Sequence, residues 1–323
     1  MQIPEKRPTL KTIAQAVGVT PNTVSLALRN SPLVAEKTKK EILSVAKQIG
    51  YVHNSVAGSL RSGSSKTVAL AFSDFGNPIF SIRLKKMEAV FTERGYQVLI
   101  LSFKDNPKQE YEAMLTAVSR KVDGVVCSTK YPQSMQVLDR NGVPCVIVGR
   151  HFSERLWDCV TGDNVSTAIE ATRYLLGKGC KRVHYFTYRL HGISSEDERL
   201  TGYRTAMKEH GFDETTIDSL IHCCGDYDNV PAVMENTQIE KDDGVFVYSD
   251  HLAWHVACYL PQGTALVSID GLLSIIKMPF FIPSFGMDYD LEAQYSVDLL
   301  LKRIEDPRRE VQEMILPMKL IEA

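Results

Sequence analysis

Near the N-terminus apolar residues recur at helical spacing. Farther along they gather into short runs, and the two textures predict two kinds of fold. Leu10, Ile13, Ala14 and Val17 share one helix face. Thr9 before them suits an N-cap, because its hydroxyl can accept from an unpaired N–H of the first turn. Gly18-Val19 breaks the pattern. Thr20-Pro21 restarts it, with a capping hydroxyl and then proline where the missing N–H costs nothing. This second helix is expected to run to about Arg29. A third is expected from about Ala35 to Ile49, with Ile42, Val45, Ala46 and Ile49 inward and Gly50 as its stop. Asn54 to Arg61 is a weaker helical segment, and Ser62-Gly63-Ser64-Ser65 reads as a flexible linker.

From Lys66 onward the runs are Val68–Phe72, Val98–Leu101, Val122–Cys127, Val143–Val148, Arg182–Phe186, Gly244–Tyr248 and Leu266–Ile269. Amphipathic stretches lie between them: Ile79–Gly95, Lys108–Arg120, Val165–Gly177, Glu196–His210 and Asp250–Leu260. Such alternation implies an α/β unit with doubly wound parallel sheets, long enough for two lobes.

With 323 residues the chain is too long for one small core. Its 44% hydrophobic and 24% charged residues are ordinary for a globular protein. No run approaches the roughly 18 apolar residues of a membrane span. Met1 to Lys11 is polar and basic, so no secretory signal is expected. The seven cysteines include no C-x-x-C pair, and Cys127 and Cys145 sit inside apolar runs. That pattern suits a reducing cytoplasm better than disulfides or a zinc site. The net charge of −2 conceals an asymmetry: residues 1–66 carry ten Lys or Arg against three Asp or Glu, +7, leaving −9 for the remainder. A basic head on an acidic body suits a polyanionic partner, although a solvated basic surface reads the same way.

The head also fits a helix-turn-helix, whose second helix lays its N-terminal residues against base edges in the major groove. The turn would be Val17-Gly18-Val19-Thr20. Asn22, Thr23 and Ser25 would face bases or phosphates, Arg29 would reach phosphate, and Val24 and Ala27 would face the head's core. An unrelated three-helix bundle is the alternative. Residues 8–63, with IAQAVGVTPNTVSLAL, the Lys-Thr-Lys-Lys stretch, IGYVHN and the closing A-G-S-L-R-S-G, resemble the head of the lactose-repressor family of bacterial regulators. The resemblance continues through the body and is patchier after about residue 210. It implies a DNA-facing set of Thr9, Thr20, Asn22, Thr23, Ser25, Arg29 and Thr38. It also implies a hinge helix from Asn54 to Arg61 that orders on DNA and, paired with its copy, wedges Leu60 beside Ala57 into the minor groove. A helix-packing role is the alternative for Leu60. Two residues depart from the family: Gly58 where arginine is common, and Leu26 where many relatives carry a polar residue. Leu26 can meet a thymine methyl but cannot read guanine.

For the body, the resemblance implies a two-lobed core like that of periplasmic sugar-binding proteins. Its expected divisions are a head over 1–53, a hinge over 54–66 and a core over 67–323. The first lobe would hold about 67–164 and 288–314, the second about 165–287 and 315–323. Ligands of open α/β sheets bind at the C-terminal strand ends. Asp74-Phe75-Gly76-Asn77-Pro78-Ile79-Phe80 follows the first strand and is similar to the family's D-x-x-N-P-F-F. Positions matching Asn77, Arg150, Arg199, Asp250 and Asp270 commonly line the effector cleft. Asp74 and Phe80 join them as candidates, the carboxylates and guanidinium suiting vicinal hydroxyls and the aromatic suiting a sugar's apolar face. The alternatives are helix capping for Asp250 and for Asp163, which follows a short strand over Cys159–Thr161, a surface ion pair for Arg199, and a lobe-bridging role for Asp74. Trp254 reads as core. Ser249-Asp250-His251-Leu252-Ala253-Trp254-His255 departs from the family's Asn-Asp-x-x-Ala-x-Gly.

The expectation is therefore a ligand-responsive regulator that acts as a repressor. It would be a homodimer, since no C-terminal heptad segment follows. It would read a near-palindromic operator through the major groove and a central minor-groove wedge, and answer to a small effector of carbohydrate type. No cofactor, metal or membrane partner is expected. An enzyme is the first alternative, but the chain has no G-x-G-x-x-G, P-loop, G-x-S-x-G or H-E-x-x-H. A plain solute-binding protein is the second, and the basic head argues against it.

Overall fold

Capping and turn chemistry set the ends of the first three helices in the computed structural model, which describes residues 8–52, 63–104, 106–150, 152, 156–188, 194–276 and 281–322. The chain divides into two compact units, 1–65 and 66–323. In the first, α1 (Leu10–Val17) begins with a capping box: the Thr9 hydroxyl accepts from the Thr12 N–H at 3.3 Å and the Thr12 hydroxyl accepts from the Thr9 N–H at 3.2 Å. Gly18 takes φ 74°, which only glycine adopts cheaply, and turns the chain into α2 (Pro21–Leu28). Thr20 caps α2, with Pro21 at its first position. The third helix, α3 (Glu36–Gln48), closes over the other two and stops at Gly50, φ 65°. Ile13, Ala14, Val24, Ala27, Val34, Ile42 and Ala46 are the buried core. Val45 and Ile49 are only half-buried against it.

Among the described residues the larger unit contains two six-stranded sheets. The first has the order β11-β5-β4-β3-β1-β2, from β1 (Thr67–Phe72), β2 (Gln97–Ser102), β3 (Gly124–Cys127), β4 (Cys145–Val148), β5 (Asp158–Gly162) and β11 (Glu313–Leu316). All its pairings are parallel. The second has the order β12-β10-β9-β8-β6-β7, from β6 (Arg182–Thr187), β7 (Ile221–Cys223), β8 (Asp243–Val247), β9 (Ala265–Ile269), β10 (Ser284–Gly286) and β12 (Lys319–Ile321). Among the described residues only the β10–β12 pair is antiparallel. Among the described strands the chain thus passes between sheets after β5, after β10 and after β11. The doubly wound, two-lobed α/β architecture is the one the sequence predicts.

Helices α4 (Pro78–Glu93), α5 (Pro107–Ser119), α6 (Pro132–Arg140) and α12 (Tyr289–Glu305) serve the first sheet. Helices α7 (Asn164–Gly177), α8 (Ser194–Glu209), α9 (Glu214–Ser219), α10 (Val230–Glu235) and α11 (Asp250–Ala257) serve the second. The patterns read from sequence do not include α6, α9, α10 or α12. In α12 the inward face carries Glu292 and Ser296 among Tyr289, Ala293, Val297 and Leu300, which blurs its apolar stripe. Asp158 ties three segments together: Arg303 of α12 holds it bidentately at 2.9 and 3.0 Å, and the Gln312 N–H before β11 donates to it at 2.7 Å.

Helices α7 and α8 meet at Gly202, where an added Cβ would lie 2.4 Å from the Val165 carbonyl oxygen and 2.7 Å from the Ala168 Cβ. Backbone cannot yield as a side chain does. Gly202→Ala is therefore expected to lower unfolding free energy by about 1–3 kcal/mol. Chemical denaturation would check it, and an unchanged midpoint would contradict the close packing.

Candidate nucleic-acid interface and ligand cleft

In the head, Thr20 and Asn22 are exposed at the start of α2 and Thr23 is half-buried beside them. The Thr20 and Thr23 hydroxyls share a hydrogen bond at 2.9 Å. The N–H groups of this first helical turn and the positive end of its dipole offer a place for a phosphate. Ser25 lies deeper than its candidate role suggests: it is buried, its hydroxyl accepts from Arg29 Nη2 at 3.1 Å and its carbonyl from Arg29 Nε at 3.1 Å. Arg29 is exposed but folded back on Ser25. Thr9 is exposed as the α1 cap, and Thr38 is half-buried on α3. Lys39, beside it, is buried and donates to Asn30 Oδ1 at 2.8 Å. Asn54, Ala57 and Leu60 lie outside the described residues.

In the larger unit the C-terminal strand ends collect the remaining candidates. Asp270 follows β9 with φ 131°, a strained setting for a non-glycine residue. Its N–H donates to the Phe285 carbonyl at 2.8 Å and its carbonyl accepts from the Tyr289 hydroxyl at 2.7 Å. Arg199, from α8, is buried. Its Nη2 lies 3.5 Å from Asp270 Oδ1, its Nε donates to Asn164 Oδ1 at 2.9 Å, and its Nη1 donates to the Tyr248 carbonyl at 2.5 Å. The surface ion pair considered for Arg199 is thus replaced by a buried one. Asp250 is also buried, but it knits its own lobe. It accepts from the Ser268 hydroxyl at 2.6 Å, the Ser284 hydroxyl at 2.5 Å and the Leu272 N–H at 2.6 Å, while Ser249 caps α11. Burial, with Asp270 nearby, pushes the Asp250 carboxyl up to about 7. Burial raises Asp270 as well, against the opposing pull of Arg199 and Arg83.

On the first lobe, Asp74 is exposed and accepts from the Gly76 N–H at 2.8 Å. Asn77 caps α4, accepting from the Ile79 N–H at 3.2 Å. Phe80 packs into that lobe's core, 5.7 Å from the Phe72 ring, and Arg150 is buried after β4. Asp163 caps α7, accepting from the Ser166 N–H at 3.1 Å. Sequence reasoning missed Arg83, which is buried on α4 and donates to Glu292 Oε2 of α12 at 2.9 Å. A signal existed: Arg83 interrupts the apolar stripe of Ile79, Phe80, Met87 and Phe91, as Glu292 interrupts that of α12. It also missed Tyr248, whose ring centroid lies 4.6 Å from the Arg199 guanidinium. Among the described residues no group of three or more His, Cys, Asp or Glu side chains could hold a metal ion. Also among them, no helix is long and apolar enough to cross a membrane.

A second buried cluster lies at the edge of the second sheet. His184 Nδ1 and His222 Nε2 are 2.9 Å apart, the rings stack at 5.2 Å, and His184 Nε2 is 3.3 Å from Asp243 Oδ2. Burial lowers both imidazoles, and His184 lowers His222 further, to about 4. Between about pH 6.5 and about 4 the unfolded chain binds a proton at His222 that the folded chain refuses, so stability falls as pH falls through that window. His222→Gln should flatten this loss by up to about 1.4 kcal/mol per pH unit. Melting curves across the window check it, and equal slopes for both proteins would contradict it.

Residues 9–54 match the bacterial regulatory proteins of the lacI family. Residues 65–240, more than half of the chain, match the periplasmic binding proteins and sugar binding domain of the LacI family. The chain belongs to the LacI family. Residues 172–322 of this LacI-family protein also match the periplasmic binding protein-like domain. It is similar to the sucrose operon repressor of Pediococcus pentosaceus, 24% identical over 332 aligned positions that cover 98% of each chain. It is also similar to the transcriptional regulator MalR of Streptococcus pneumoniae, 26% identical across 87% of this chain and 83% of that one. Among solved structures it is similar to a transcriptional regulator CelR–cellobiose complex, with TM-score 0.68, 25% identity, and coverage of 98% of this chain and 99% of that one. The Lac repressor dimer bound to operator, at TM-score 0.80, 16% identity and 98% coverage of both chains, shares the fold.

Proposed function

We propose that this chain is a sequence-specific DNA-binding repressor of transcription whose hold on operator DNA is changed by a carbohydrate bound between the two lobes of its core. The observation that carries the reading is the exposed polar start of α2, Thr20 and Asn22, within a capped two-helix unit that lies in the segment matching the bacterial regulatory proteins of the lacI family. Thr9, Thr20, Asn22, Thr23 and Thr38 would meet DNA directly. Arg29 would reach phosphate by leaving Ser25. Asn54, Ala57 and Leu60 would form the minor-groove wedge of a hinge over 54–66, between a head over 1–53 and a core over 67–323. Two heads of a homodimer would read the halves of a near-palindrome.

The buried Arg199–Asp270 pair supports the effector site, since a planar guanidinium and a carboxylate can together hold neighbouring hydroxyls. Arg150, Asp74 and Asn77 would face the same ligand from the first lobe. Carbohydrate is favoured because the similar proteins include a sucrose operon repressor and a regulator bound to cellobiose. The ligand would shift the hinge only by binding the two states of the core unequally. We assign the chain no catalytic role, and we place it in the cytoplasm with its DNA. A fragment of residues 67–323 is expected to lose operator binding in a mobility-shift assay. Undiminished binding by that fragment would overturn the reading.

A further inference from the structure

Beside the Arg199–Asp270 pair the second lobe carries a continuous aromatic surface that two charged groups do not need. Tyr248, after β8, stacks on Arg199 and meets the Tyr188 ring at 6.1 Å. Tyr188, after β6, meets Tyr227 of the loop after β7 at 4.9 Å. Tyr227 meets His251 at 4.3 Å and His255 at 4.7 Å, two residues one turn apart on α11. Trp254, between them in sequence, packs against the apolar cores of both lobes, which places this surface at their junction. Asp74 of the first lobe acts electrostatically on both Tyr227 and His251.

One feature marks the surface as a ligand wall rather than core. His251 Nδ1 and Trp254 Nε1 are shielded from solvent, yet neither has a hydrogen-bond partner among the described residues. Buried polar atoms are rarely left so, and the hydroxyls of a ligand would satisfy both.

We propose that Tyr227, His251 and His255 form a second subsite beside the Arg199–Asp270 pair, so that the effector is a glycoside of two rings. This rests on the effector-cleft reading above. One hydroxylated ring sits at Arg199 and Asp270. The second ring lays a flat face on the aromatic wall and offers its polar edge to His251 Nδ1 and Trp254 Nε1. That second ring is either another sugar or an aryl group, since both present an apolar face.

The test is isothermal titration of the full chain with sucrose, maltose, cellobiose and 4-nitrophenyl β-glucoside, set against glucose, fructose and glucose 6-phosphate. At least one two-ring compound should bind more than about tenfold tighter than its single ring, a gap of about 1.4 kcal/mol. Binding of a disaccharide and not the aryl glucoside, or the reverse, identifies the second ring. Tyr227→Ala and His255→Ala should each erase the gap and leave single-ring binding as it was. If Tyr227→Ala fails to fold, Tyr227→Leu and His255→Ala decide the matter. Arg199-dependent binding of glucose, fructose or glucose 6-phosphate at equal or greater strength overturns the two-ring subsite and leaves the cleft reading standing. No binding by any compound, or binding that Arg199→Ala leaves intact, overturns both.

Discussion

Arg199→Ala is expected to lower the stability of the core by about 3–5 kcal/mol, because breaking a buried ion pair strands the remaining charge. The stranded group is Asp270, buried at the end of β9 with its backbone fixed by two hydrogen bonds. Burial already raises its carboxyl, and Arg199 is the largest influence opposing that rise. Without Arg199 the carboxyl rises further, so the variant should recover part of its loss on acidification, when Asp270 can take up a proton. The same change removes the donors to the Tyr248 carbonyl and to Asn164. Any effector response should vanish with it. Denaturant titrations at two pH values, with ligand titration alongside, measure both effects. A loss below about 1 kcal/mol, as for an exposed ion pair, would contradict the buried placement of Arg199.

Ile42→Ala is expected to abolish DNA binding without touching any DNA-facing residue. Ile42 is fully buried at the centre of the head, where α3 closes on α1 and α2. Replacing such a side chain by alanine costs about 2–5 kcal/mol. A unit this small rarely stores more than about 3–5 kcal/mol. The head should therefore unfold at ambient temperature while the main melting transition of the core stays where it was. Calorimetry of the full chain, paired with a mobility shift, separates the two. Normal DNA binding by Ile42→Ala, or a shifted core transition, would contradict two separate cores.

The two kinds of helix end explain how much of the fold was legible. Caps and stops are local, so Thr9, Gly18, Thr20-Pro21 and Gly50 mark the head's helices to within one residue. The apolar runs mark β1, β4, β6, β8 and β9 because a parallel strand buried on both faces is apolar throughout. The short β7 and β10, the last two strands and α12 escape this reading: their burial mixes polar with apolar residues, as Glu292 and Ser296 do on α12. The cleft divides in the same way. Asp270 stands directly after a run that reads as a strand, and Tyr248 closes another. The partners of Arg83, His184 and His222 lie far away in sequence, joined only when the sheets and helices assemble. Asp250 was legible as a position but not as a role, since its three donors come from β9, β10 and the short turn at Leu272.

Selection of DNA from a random-sequence library by the full chain tests the central claim most directly. If the head reads operator halves in a dimer, repeated rounds should enrich an inverted repeat. Enrichment should disappear for the 67–323 fragment and for Ile42→Ala, and a bound effector should change the yield of the selected sequence. A library that stays random, or one enriched equally by the 67–323 fragment, would contradict the account.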